Sequence, residues 1–161
     1  MQRFIGCLGI IIGLWSVSAI AQPEVQLGIN IGEPTSVQKR AIGEAAKVMD
    51  DFMQAFNAQD SARWASTLLF PHVRISSGGV VVHPSREEFI EQMDFQAFAR
   101  TYNWQRSAWD SLNVVQADAN KVHIAVQFSR YNPQQKPLAS FESLYISVSY
   151  THLTLPTKFV V

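Results

Sequence analysis

Three ionisable side chains lie close together in the segment HVRISSGGVVVH, residues 72–83. Gly78-Gly79 between two β-branched runs is a strong short-range hairpin signal, with strands expected at 72–76 and 80–83. Residues two apart on a strand share a face, so His72 and Arg74 do. A two- or four-residue turn brings His83 onto that face as well. A three-residue turn flips the register and disperses the cluster. A neutral imidazole beside a guanidinium has its pKa pushed down, which suits a general base or a hydrogen-bonding orienter. The competing reading is a solvated face, or a His72 that tethers a loop.

A second group falls on the later strands: Trp109, Asp110, Arg130, Glu142 and Tyr145. Asp110 is followed by the polar Ser111 and Asn113. Arg130 ends the alternation Val122, Ile124, Val126, Phe128, so an apolar face closes in a charge. That is either a snorkelling edge residue or a cation at the mouth of a pocket. Phe141 shares a face with Tyr145, and Glu142 alternates with Leu144 and Ile146. An inward Glu142 near Arg130 would be a satisfied, structural pair. Trp64, Trp104, Trp109, Phe52 and Phe56 either line an apolar cavity suited to a flat hydrophobic ligand or fill a plain core. No metal site is expected: H-E-x-x-H and H-x-H are absent, and His72 and His83 lack a third ligand. No G-x-S-x-G motif occurs, and Gly78-Gly79 sits in a hairpin rather than in a phosphate loop. No cofactor is implied.

The elements that must position these groups follow from periodicity. Thr35 and Gln38 have capping-box spacing, and Ala41, Ala45, Val48, Phe52 and Phe56 then recur at steps of three and four. Residues 57–59 end this first helix and Asp60 caps a second, with Trp64 and Leu68 turned inward. Ser85 and Glu88 form another capping-box pattern, opening a third helix through Phe89, Ile90 and Met93. Long strands are predicted at 106–117, 121–131 and 138–147, separated by the turn 118–120 and the loop 132–137. Helices first and a meander afterwards indicate α+β with an antiparallel sheet.

The ends of the chain read differently. Arg3, an apolar run over 4–20 and the small-x-small pattern Ala19-Ile20-Ala21 read as a signal peptide over 1–21, with export to the periplasm or beyond. A retained anchor is the competing reading, but the run is slightly short for a span and contains three glycines. Residues 22–33 read as a linker or loosely docked arm, and 34–147 as the domain. The ten residues 148–157, VSYTHLTLPT, match one translated frame of a transposon adapter oligonucleotide. The tail 148–161 is therefore expected to be non-native, with the native frame stopping near Ser147. Setting aside Arg3 and Lys158 leaves 11 basic against 13 acidic side chains, net −2, without a basic patch. That argues against nucleic acid, and no membrane contact is expected after signal cleavage. The single cysteine, Cys7, lies in the leader, so disulfides and thiol chemistry are excluded from the mature chain.

The order of long helix, short helix, hairpin, further helix and three long strands over residues 36–147 resembles the NTF2-like (SnoaL-like) superfamily. The resemblance implies a curved sheet wrapped around helices to form a cone with a pocket. It also implies a small hydrophobic molecule as partner and a homodimer through the outer sheet face. Relatives usually close the sheet with one more strand, which here falls beyond Ser147; the last native strand is expected to be missing, with the tail as a poor substitute. If the chain is an enzyme, the resemblance implies cofactor-free acid/base chemistry of isomerase, dehydratase or cyclase type. His72 or Asp110 would then be the catalytic group, with Arg74, His83, Trp64, Trp109, Arg130 and Tyr145 binding substrate. The alternative is a non-catalytic ligand-binding or dimerisation module. Fold does not decide between them.

Overall fold

The computed structural model describes residues 22–28, 31–76, 78–149 and 157–160. The leader read at 1–21 lies outside the described residues. Among the described residues no helix is long and apolar enough to cross a membrane.

The arm at 22–33 is docked through β1 (Gln26–Leu27), which runs parallel to residues 113–114. Gly28 then donates its N–H to the Val114 carbonyl at 2.8 Å. A Cβ at this position would stand 2.7 Å from that oxygen, so only glycine permits the approach.

Helix α1 (Ser36–Asn57) starts where the spacing of Thr35 and Gln38 predicts. Thr35 Oγ1 accepts from the Gln38 N–H at 3.3 Å, and Gln38 Oε1 accepts from the Thr35 N–H at 2.9 Å, satisfying two otherwise orphaned donors. Gln38 Nε2 also donates to the Ala117 carbonyl at 2.9 Å, fixing the helix start to the sheet. The predicted stripe faces the core, with Ala45, Val48, Phe52 and Phe56 buried beside Met49, Met53 and Ala55. Asp60 caps α2 (Ser61–Ser66) by accepting from the Arg63 N–H, and Trp64, Ala65 and Leu68 are buried.

Strands β2 (His72–Ser76) and β3 (Gly79–His83) form the hairpin with a two-residue turn. Gly79 has φ +138°, a backbone value other residues avoid. The expected single third helix is two helices, α3 (Arg86–Gln92) and α4 (Phe95–Tyr102). The break comes from Met93 going extended and from Asp94, whose carboxylate accepts the Ala97 N–H at 2.8 Å and starts a new helix.

The meander is β4 (Arg106–Ala117), β5 (Lys121–Tyr131) and β6 (Pro137–Val148). Irregularities in the β4–β5 register fall between Trp109 and Ser111 and between Val114 and Gln116. Such bulges bend a strand and increase its twist. Strand β7 (Thr157–Val160) lies within the tail that sequence reading set aside. It pairs antiparallel with β6 and parallel with β2. One seven-stranded sheet results, in the order β1-β4-β5-β6-β7-β2-β3. It curves around the helices, and the core sits between α1 and the inward residues of β4–β6: Trp109, Leu112, Val114, Val122, Ile124, Val126 and Tyr145.

Candidate functional site

The site lies where the C-terminal half of α1 faces the sheet. Helix α1 contributes Phe52, Met53 and Phe56, and α2 contributes Trp64. The sheet adds Arg74 from β2, Ser107 and Trp109 from β4, Phe128 and Arg130 from β5, and Tyr145 from β6. The space is about 320 Å³ when its open mouth and the gaps between atoms are counted, but its formed void is only about 30 Å³, room for one water. A larger ligand must therefore lie in the mouth or displace wall side chains. Its floor is solid. Phe52 packs at 5.4 Å from Trp64, 5.7 Å from Tyr145 and 6.0 Å from Trp109, measured between ring centroids.

Hydrogen bonds brace these walls from behind. Trp109 Nε1–H donates to the Met49 carbonyl at 3.2 Å, which fixes the indole against α1. Asn57, at the end of α1, accepts from the Ser107 N–H at 2.8 Å and donates to the Ser107 carbonyl at 2.9 Å. Ser107 Oγ accepts from Trp104 Nε1–H at 3.0 Å, so Trp104 belongs to the bracing core rather than to the lining.

Among the described lining residues the charged groups are the cations Arg74 and Arg130. The Arg130 guanidinium carbon sits 4.6 Å from the Phe141 ring centroid and 4.9 Å from that of Phe98, within cation–π range. Its Nε is buried without a hydrogen-bond partner. Burial, and secondarily the charge of Arg74, hold the Arg130 pKa below its ordinary value. A guanidinium nonetheless stays protonated at neutral pH. Burial pushes the Tyr145 phenol well above its ordinary value, and the two arginines only partly oppose this.

The family model described as NTF2-like protein (DUF6841) matches residues 43–151. The chain belongs to this NTF2-like family. Among solved structures, Aln2 from a Streptomyces species superposes with a TM-score of 0.58 at 16% identity, covering 80% of this chain and 93% of that one. An NTF2-like protein from Anabaena variabilis gives 0.53 at 12% identity over 81% and 96% of the two chains. A ketosteroid isomerase-like protein from Erwinia carotovora atroseptica gives 0.50 at 15% identity over 72% and 88%. At such identities the likeness is one of fold. No curated protein matches the chain.

Within this NTF2-like cone the residues singled out by sequence separate into two sets. Trp64, Trp109, Arg74, Arg130 and Tyr145 all line the pocket. His72 and His83 pair across the hairpin as the two-residue turn requires, with rings 6.1 Å apart, yet neither lines it. His72 is buried, and Phe89 packs edge-on to both rings at 6.3 and 5.0 Å. The pair anchors the hairpin base against α3. Asp110 lies away from this lining. It sits exposed at the first β4 irregularity and accepts a 2.6 Å hydrogen bond from Ser129 Oγ. Ser129 alternates with Phe128 and Arg130, so Asp110 belongs to the outer face of the sheet. Glu142 pairs with Gln127 on that outer face and does not meet Arg130. Among the described residues no group of three His, Cys, Asp or Glu is placed to hold a metal ion. Phe128 and Met53 are lining residues that the sequence reading passed over; Phe128 belonged to the alternation that ends in Arg130, which was the available signal.

Proposed function

We propose that this protein binds a small, largely apolar organic molecule in the pocket between α1 and the sheet, as a binding module rather than an acid/base catalyst. The observation that carries this reading is the lining itself, whose titratable groups among the described residues are Arg74, Arg130 and Tyr145. Proton abstraction needs a base with a pKa near the working pH. The arginines stay protonated, and the raised Tyr145 pKa keeps the phenol neutral. An isomerase reading, suggested by the ketosteroid isomerase-like neighbour, would need His72 or Asp110 to reach this space, and neither lines it.

Titration with a library of small aromatic compounds, read through tryptophan emission, tests the reading, because Trp64 and Trp109 are both in the wall. Saturable quenching that a Met53→Trp substitution abolishes by filling the space is the expected result. No saturable binding below the millimolar range, or binding indifferent to that substitution, rejects the pocket. Export is proposed from the leader pattern at 1–21, and a mature chain beginning at Gln22 in the extracytoplasmic fraction is the expected finding. Self-association through the outer sheet face rests on the family resemblance. Light scattering giving a monomer mass at all concentrations would exclude it.

A further inference from the structure

We infer that the ligand is an organic anion: a carboxylate carried on a flat apolar body, its charge held by Arg74 and Arg130 and its body against Phe52, Trp109 and Tyr145. This rests on the pocket being the binding site. All thirteen Asp and Glu side chains lie within the described residues. Among the described residues the ion pairs join Lys39 to Glu33 and Arg63 to Asp51, leaving both pocket arginines without an Asp or Glu partner. Arg130 is half-buried and feels the charge of Arg74. Arg74 at the exposed rim and the half-buried Arg130 are like charges, and an anion held between them relieves their repulsion. The unmet hydrogen-bonding capacity of the lining has the same sense. Arg130 Nε and Trp64 Nε1 are buried donors without an acceptor, and both residues line this space. A guanidinium fork matches a carboxylate in geometry as well as charge. Stacking of Arg130 on Phe98 and Phe141 orients that fork without consuming its in-plane donors.

The test compares benzoate, phenylacetate and cinnamate with their neutral amides, with acetate and inorganic phosphate as anions lacking the apolar body. Calorimetric titration is expected to show at least one acid binding about tenfold or more tighter than its amide, the loss anticipated for hydrogen bonds to a charged group. That preference should shrink with added salt, and acetate and phosphate should bind far more weakly. Arg74→Gln and Arg130→Met should each bring the acid-to-amide ratio towards one. Arg74 is exposed, so its variant keeps the test decisive if Arg130→Met perturbs folding. Equal affinity for acids and amides overturns the anion assignment while leaving the pocket as a binding site. Acid binding that phosphate displaces equally well, or that ignores both substitutions, also overturns it. Binding of neither acids nor amides sinks the inference and the proposed function together.

Discussion

Arg130 shows how one side chain reports on a site. On β5 it continues the inward alternation of Val122 to Phe128, and a charge on that face must be solvated, paired or placed over aromatic rings. Phe98 and Phe141 supply the rings. This much was legible in the sequence, because strand alternation is local. The role of Asp110 was not, since a single irregularity after Trp109 changes which face the next residue takes, and nothing in the residue types announces it. Asp110→Asn is expected to leave ligand affinity unchanged and to cost at most about 1 kcal/mol through the weakened Ser129 bond, read by urea unfolding. His123, on the outer face of β5, offers a pH signature. Burial, then Lys121, lower its pKa below 6.5, outweighing the opposing pull of Asp118. The unfolded chain therefore takes up this proton first as pH falls. Stability should be complete above about 6.5 and decline between that value and the lowered folded one. His123→Gln should flatten that part of the curve of stability against pH.

At the level of elements, local chemistry carried most of the reading. The reciprocal bonds of Thr35 and Gln38 set the start of α1, and Thr35→Ala is expected to cost about 1 kcal/mol in thermal or chemical denaturation. The hairpin register was legible because only the length of its turn was open, and the two-residue turn placed His72 opposite His83. What that register could not reveal was what packs against the imidazoles. Phe89 arrives from α3 and packs edge-on against both rings, away from the pocket lining. The break between α3 and α4 was missed because Met93 fits an apolar stripe, while the capping role of Asp94 depends on the chain already having turned extended. For residues 22–33 the sequence left linker and loosely docked arm both open, since Gly28 is informative only once Val114 lies beside it. Gly28→Ala should detach β1, seen as faster hydrogen exchange at residues 26–28.

For the molecule as a whole, the wall of the pocket and the centre of the core are the same aromatic cluster. Phe52 touches Trp64, Trp109 and Tyr145, so Phe52→Ala is expected to cost about 3–5 kcal/mol and to abolish binding with the same stroke. The α+β class and the NTF2-like cone were readable from element order, and the expectation of the tail as a substitute strand meets β7 beside β6. The adapter-like match at 148–157 had set the tail aside, whereas only the assembled sheet exposes the gap that β7 spans between β6 and β2. The hairpin bearing Arg74 reaches the rest of the sheet through this four-residue splint, with Arg74 directly opposite Val160. The jaw of the pocket is thus hung from β7. Trimming β7 is expected to swing Arg74 away from Arg130, so any preference of the proposed site for its ligand should respond to changes made outside the cleft.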